Sequence, residues 1–137
     1  DKIMIGKLNH VAIAVPSVKK AAKQYKNMLG AKVSDILELP NHGVKTIFIE
    51  LNNTKIELIE PFGENSPIQS YLNKKPEGGM HHVCYEVKDI NEACKKLQKS
   101  GAIILGTGKP SIGAHGKPVI FLHPKSFNGT LIELEEV

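Results

Sequence analysis

Apolar and polar residues alternate through two short stretches of the chain, His10-Val11-Ala12-Ile13-Ala14-Val15 and His82-Val83-Cys84-Tyr85-Glu86-Val87. A period of two predicts strands with one buried face. Each stretch starts on a histidine, and each leads into apolar positions at helical spacing that end on Gly-Ala. These predict helices over Ser17 to Leu29, before Gly30-Ala31, and over Asp89 to Ser100, before Gly101-Ala102. In the first helix Val18, Ala21, Ala22, Tyr25, Met28 and Leu29 form one stripe, with Ser17 as N-cap and Gly30 as C-cap. Each half then carries Ile-Glu-Leu, at residues 56–58 and 132–134. Such a repeat describes two copies of one supersecondary unit that bury their apolar faces together.

The remaining segments fill out the two copies. Lys7 to Val15, Lys32 to Leu39, Val44 to Leu51 and Lys55 to Glu60 read as strands of a β-α-β-β-β module over residues 7–61, with turns at Pro40-Asn41-His42-Gly43 and Asn52-Asn53. Residues 62–80 are a linker with a short helix from about Pro67 to Leu72. A second module over residues 81–136 has strands at His82 to Val87, near Ile103 to Leu105, at Pro118 to Leu122 and at Thr130 to Glu135. The glycine-rich stretch Gly106 to Lys117 is long for a mere connection, and such loops in compact domains are often functional. Asp1 to Gly6 is expected to fray.

Alternation also assigns directions. Val11, Ile13 and Val15 oppose His10, Ala12 and Ala14; Val83, Tyr85 and Val87 oppose His82, Cys84 and Glu86. Glu57 opposes Ile56 and Leu58, and Glu133 opposes Ile132 and Leu134. With the large apolar face under the helices, the other face is expected to be concave, lined by Ala12, Ala14 and Cys84, with two histidines and two glutamates converging on it. His10, Glu57, His82 and Glu133 are then a mixed nitrogen and oxygen ligand set. It suits octahedral Co²⁺, Mn²⁺, Fe²⁺, Ni²⁺ or Zn²⁺, with two positions left for water or substrate. A carboxylate beside such a Lewis acid can take a proton from a carbon next to a carbonyl. No Ser-His or Cys-His nucleophile pair is apparent.

Composition narrows the partners. The 137 residues, 41% hydrophobic and 23% charged, are those of one ordinary domain. The net charge of +4 arises from 18 basic residues, all lysine. Without arginine forks, and with four Phe, three Tyr and no Trp, nucleic acid is not the expected partner. No apolar run is long enough for a membrane span, and the first residues lack a signal-peptide pattern. Lys19, Lys20, Lys23 and Lys26 read as a solvated helix face, whereas Lys109, Lys117 and Lys125 sit in loops suited to an anionic ligand. Cys84 and Cys94 are isolated, which fits a reducing compartment, and Cys94 occupies a core position of its helix. His81 has the parity of the apolar face, His42 lies in a turn, and His123 precedes Pro124 and is expected to bond a loop. His115, between Ala114 and Gly116, is placed to meet a ligand. Glu50 and Glu60 read as solvated strand ends.

These residues resemble the vicinal oxygen chelate superfamily and, within it, the family of methylmalonyl-CoA epimerases. The matching stretches are Leu8-Asn9-His10-Val11-Ala12, residues 53–58, Gly79-Met80-His81-His82-Val83, residues 112–118 and Phe121-Leu122-His123-Pro124-Lys125. The repeated His and Glu pattern belongs to the superfamily; His115-Gly116-Lys117-Pro118 and Leu122-His123-Pro124-Lys125 are specific to the epimerases. The resemblance implies an α+β fold of two tandem β-α-β-β-β modules, forming an incomplete eight-stranded barrel around a metal. It implies His10, Glu57, His82 and Glu133 as ligands of a divalent ion, with Co²⁺ first and Zn²⁺, Mn²⁺ or Ni²⁺ as alternatives. It further implies Glu133 and Glu57 as catalytic carboxylates, Gly113, His115 and Lys117 as substrate contacts, and a CoA thioester epimerised through a metal-stabilised enolate. A homodimer is implied too, cytoplasmic in a bacterium and in the mitochondrial matrix in a eukaryote. Some relatives have glutamine at the place of Glu57, and some have a glutamate, proposed as one of two bases, at the place of Thr46. Threonine cannot be that base. Glyoxalase I would use the same ligand types, but glutathione carboxylates commonly meet arginine forks. A metal-free small-molecule binder of this fold usually lacks the ligands, and a ring-cleaving dioxygenase would need only two histidines and one carboxylate.

Overall fold

Apolar alternation draws the start of the chain into β1 (Ile5–Ala14), and Pro16 lies just beyond its end. The computed structural model describes residues 4–137. Of the stretch expected to fray, Asp1 to Ile3 lie outside the described residues, and β1 begins at Ile5, two residues before the expected Lys7. Ser17 caps α1 (Val18–Leu29), its Oγ accepting from the Lys20 N–H at 3.2 Å. Gly30 closes the helix with φ 65°, a left-handed conformation that costs glycine least. The order continues as β2 (Leu37–Leu39), β3 (Val44–Glu50), β4 (Lys55–Pro61), α2 (Pro67–Lys74), β5 (Gly79–Val87), α3 (Ile90–Lys99), β6 (Ser111–Ile112), β7 (Pro118–Leu122) and β8 (Ile132–Glu136). No described helix is long and apolar enough to cross a membrane.

The chain packs as two compact units, His10–His81 and the residues up to Asn9 together with His82–Val137. In the first, the sheet runs β2-β3-β4-β1, with β1 parallel to β4 and β3 antiparallel to it. One sheet face presents Ile47, Ile49 and Leu58 to Val18, Ala21 and Ala22 of α1. Its opposite face carries Ala12, Ala14, Val44 and Ile59, and Ile68 and Leu72 of α2 cover them. Ala12 and Ala14 therefore line a second core rather than an open concavity, because α2 packs on that end of the sheet. In the second unit the order is β5-β8-β7-β6, and Val87, Ile120, Leu122, Ile132 and Leu134 pack against Ile90, Ala93 and Cys94 of α3. Burial there pushes the Cys94 thiol pKa up, so this cysteine stays protonated, as a core residue should.

Four local readings are corrected. The stripe of α1 is buried only at Val18, Ala21 and Ala22, while Met28 and Leu29 in its last turn are 80% and 73% exposed. Of Lys32 to Leu39, only Leu37–Leu39 forms a strand, with a single bridge from Val33 to Ile49 beforehand. Ile103 to Leu105 makes one bridge, Ile104 to Leu122, and no strand; Gly101 and Gly106, with φ 90° and 73°, turn the backbone out of extended conformation on either side. The edge strand of that unit is β6, inside the glycine-rich stretch, where Ser111 and Ile112 pair with Val119 and Pro118. Glu60 is not simply solvated either. Its Oε1 accepts the Val18 N–H at 2.9 Å, and Glu136 Oε2 accepts the Ile90 N–H at 3.0 Å, so each unit caps its first helix with a carboxylate from its last strand.

Leu58 is fully buried between β4 and α1. Leu58→Ala should lower unfolding free energy by about 2–5 kcal/mol, whereas Met28→Ala, at an 80% exposed position, should change it by less than about 0.5 kcal/mol. Denaturant titration of both variants checks the difference.

Candidate active site

Register places the functional side chains. In the first unit Ala12 lies beside Glu57 on the parallel pair, and Phe48 lies opposite Glu57 on the antiparallel pair. His10, two residues before Ala12, shares its side of β1, so imidazole and carboxylate meet on the face away from α1. His10 Nε2 stands 3.2 Å from Glu57 Oε1, and the two side chains are 3% and 7% exposed. The other oxygen of Glu57 is held by Thr46, whose Oγ1 donates to Oε2 at 2.8 Å. Phe48 sets its ring edge against His10 at 6.1 Å between centroids and 80° between planes.

The second unit repeats this construction. Cys84 lies beside Glu133, and Phe121 lies opposite it. His82 Nε2 is 3.0 Å from Glu133 Oε1, with side chains 5% and 8% exposed. Phe121 stands edge-on to His82 at 5.2 Å and 84°. Strand parity thus orients all four ligand-type residues as expected, and the structure brings together His10 with Glu57 and His82 with Glu133.

These pairs fit a divalent cation. A carboxylate taken out of water is costly unless a positive partner compensates it. Both glutamates are buried, each beside an imidazole nitrogen. The donors are borderline nitrogen and hard oxygen, the set favoured by first-row divalent ions.

One group escaped sequence reasoning. Glu135, 3% exposed, shares the face of Glu133, and its two oxygens lie 3.0 and 3.1 Å from His115 Nδ1. Asn9 Nδ2 donates to Glu86 Oε2 at 2.9 Å and lies 3.4 Å from Glu135 Oε2. Potential ligand atoms of Cys84, Glu133 and Glu135 all lie within 4.8 Å of one another. The signal was available, since Glu135 stands two residues after Glu133, where alternation puts it on the same side.

The loop residues sort themselves as well. Gly113 N–H donates to Lys117 O at 2.9 Å and Gly116 N–H to Gly113 O at 3.0 Å, a turn that joins β6 to β7 and carries His115. A Cβ on Gly113 would come within 2.8 Å of Val119 Cγ1, so glycine here permits close packing of the turn on β7. Lys109, Lys117 and Lys125 are exposed. Among the other histidines, His81 packs edge-on against Tyr71 at 5.3 Å. His123 Nδ1 accepts the Lys125 N–H at 2.9 Å, the loop bond expected of it.

Residues 9–121 match the Glyoxalase/Bleomycin resistance protein/Dioxygenase superfamily. The chain belongs to that superfamily. It is 62% identical to the ethylmalonyl-CoA/methylmalonyl-CoA epimerase of Cereibacter sphaeroides over 98% of this chain and 100% of the relative. It is 55% identical to the mitochondrial methylmalonyl-CoA epimerase of Homo sapiens, over 96% of this chain and 74% of that protein. Among solved structures, methylmalonyl-CoA epimerase from Mycobacterium tuberculosis superposes with a TM-score of 0.90 at 26% identity, covering 99% of this chain and 91% of the other. A Streptomyces coelicolor methylmalonyl-CoA epimerase variant in complex with 2-nitronate-propionyl-CoA gives 0.89 at 25% identity, covering 96% and 97%. The α+β glyoxalase-like fold class is thereby borne out, and so is the family resemblance of the motifs.

Thr46→Val should destabilise the metal-free protein by about 1–3 kcal/mol, since it removes the hydroxyl that donates to a buried carboxylate oxygen. Thr46→Ser should restore most of that loss. An unchanged denaturation midpoint in Thr46→Val would show that the hydroxyl does not hold Glu57.

Proposed function

We propose that this chain epimerises methylmalonyl-CoA at the carbon between its carboxylate and its thioester. The observation that carries the reading is the buried imidazole and carboxylate pair repeated at equivalent register in both units, in a chain so similar to epimerases of that substrate. We assign His10, Glu57, His82 and Glu133 to one divalent ion, Co²⁺ first, with Zn²⁺, Mn²⁺ and Ni²⁺ as alternatives. We read residues 1–137 as a single domain, and a homodimer is the assembly in which we expect it to work. The compartment follows the source, cytoplasm in a bacterium or mitochondrial matrix in a eukaryote.

When bound, the ion supplies Lewis-acid stabilisation of the negative charge that develops on the substrate's oxygens. The chain's residues do the rest. One oxygen of Glu57 stands 3.2 Å from His10 Nε2, and the other accepts from the Thr46 hydroxyl at 2.8 Å, a tie that Glu133 is not seen to have to a threonine. Its part is to complete the ligand set. Glu133, the equivalent carboxylate, takes the α-proton: the C–H bond breaks, an O–H bond forms, and the electron pair spreads into the thioester carbonyl. Gly113, His115 and Lys117 on the β6–β7 turn contact the substrate, with Lys117 toward an anionic group of the CoA or the carboxylate. The all-lysine composition argues against the glutathione adduct of a lactoylglutathione lyase as the substrate.

Proton NMR in deuterated water with metal-restored protein tests the reading. Methylmalonyl-CoA should exchange its α-proton, and the hemithioacetal of glutathione and methylglyoxal should not. The reverse pattern sinks the proposal. His82→Ala should abolish stoichiometric metal by elemental analysis. Glu133→Gln keeps an oxygen but no basicity, so it should retain most metal and lose at least ~100-fold in turnover. Lys117→Ala should reduce kcat/KM by the equivalent of about 1–3 kcal/mol at low salt; unchanged kinetics would remove Lys117 from the substrate's anionic contacts.

A further inference from the structure

The repeat is faithful in its ligands but not in everything around them. His10 matches His82, Glu57 matches Glu133, Phe48 matches Phe121, and the helix-capping Glu60 matches Glu136. One step breaks the symmetry. In the first unit the residue two after Glu57 is Ile59, buried among Ala12, Val44 and Leu72. Its counterpart in the second unit is Glu135, a carboxylate 5% exposed in its side chain, and it meets His115 with both oxygens. His42 stands at the equivalent place on the β2–β3 turn of the first unit, but Ile59 offers it no carboxylate there. The second unit has therefore acquired a carboxylate and imidazole pair next to Glu133 that ligation by the repeat-equivalent residues leaves unused.

A buried carboxylate bonded to one ring nitrogen orients an imidazole and fixes its proton on that nitrogen. With Nδ1–H directed at Glu135, Nε2 becomes the nitrogen that exchanges protons. The His115 side chain remains 27% exposed, so solvent can recharge it. Its partner Glu135 is in the same cluster as Glu133, with ligand-type atoms within 4.8 Å. Inversion at carbon needs a proton removed on one side and returned on the other, yet Thr46 offers no carboxylate, and its hydroxyl ties Glu57 in place. Glu133 alone serves one side.

We propose that His115 is the second catalytic residue, delivering to the α-carbon the proton that Glu133 does not, and that Glu135 is its positioning residue. This inference rests on the substrate reading above. In one direction Glu133 takes the α-proton, and protonated His115 then gives one back: its N–H bond breaks, a new C–H bond forms, and the electron pair returns from the thioester oxygen to carbon. Glu133 releases its proton to water and His115 takes one up, so the cycle closes without a co-reactant. In the other direction the roles exchange.

The test uses the full-length, metal-restored protein and each enantiomer of methylmalonyl-CoA separately, in deuterated water, with inversion and α-proton exchange measured independently. His115→Ala should lower inversion at least ~100-fold, while one enantiomer still exchanges its α-proton with retention and the other does not. Added imidazole should restore part of the inversion. Glu135→Gln should lower inversion by roughly tenfold, without loss of metal and without a matching rise in KM. Inversion within threefold of wild type in His115→Ala, or equal loss of exchange from both enantiomers, would overturn the assignment. If wild type exchanges neither enantiomer, the substrate reading fails instead, and the pair is then judged by nitrogen NMR of the His115 ring. A neutral ring protonated on Nδ1 in wild type, and redistributed in Glu135→Gln, supports the positioning. A ring protonated on Nε2 in wild type rejects it.

Discussion

Burying a carboxylate beside an imidazole on the small-residue side of a sheet is the constraint to which the rest of the structure answers. Two such pairs, side chains no more than 8% exposed, are tolerable only because each charge has a compensating partner and rigid surroundings. The rigidity comes from the opposite face, where branched side chains under α1 and α3 fix the pleat. Because side chains alternate along a strand, packing Ile56 and Leu58 beneath α1 leaves Glu57 one direction to point. Packing Ile132 and Leu134 beneath α3 does the same for Glu133. Core and site are two sides of one register.

Much of this was legible in sequence because it depends on local periodicity. The two histidine strands, the parity of the four ligand-type residues, the Ser17 and Gly30 caps and the core place of Cys94 all follow from patterns within a few residues. The failures share a different cause. Nothing near Ala12 or Ala14 states that α2 will fold over them, and nothing near Glu60 states that it will cap a helix 42 residues earlier; both are long-range contacts. A two-residue strand such as β6 is too short to show alternation, while Ile103 to Leu105 is apolar enough to imitate a strand that flanking glycines prevent. Glu135 was readable by parity and passed over, since an acidic chain end is commonly a solvated one.

The aromatic neighbours supply a further restraint. Phe48 and Phe121 each stand opposite a ligand-type glutamate in register and meet the histidine of their own unit nearly perpendicularly, at 80° and 84°. An edge-on ring beside an imidazole limits its rotation while leaving its nitrogens directed in the ring plane. The position must be apolar, because another titratable group would compete for the carboxylate. It must also be flat, because a branched aliphatic chain would crowd the imidazole. The same aromatic residue therefore meets the histidine at the same register place in both units.

Divergence between the copies falls two residues beyond Glu57 and Glu133. If the face existed only to hold an ion, the residue two beyond the ligand glutamate could be apolar in both units, as Ile59 is. Burying Glu135 in that place requires partners, and the chain supplies them from two distant segments, Asn9 at the start of the fold and His115 on a turn. A buried polar network of this sort does not stabilise better than a well-packed isoleucine, so stability does not account for it. What the network provides is an imidazole bonded to a buried carboxylate beside Glu133, with its side chain still 27% exposed to water. The first copy, with Ile59 beneath α2 and Thr46 holding Glu57, has been closed on the same side. The two copies repeat one supersecondary plan and part at this step: the first packs Ile59 beneath α2, and the second buries Glu135 against His115 and Asn9.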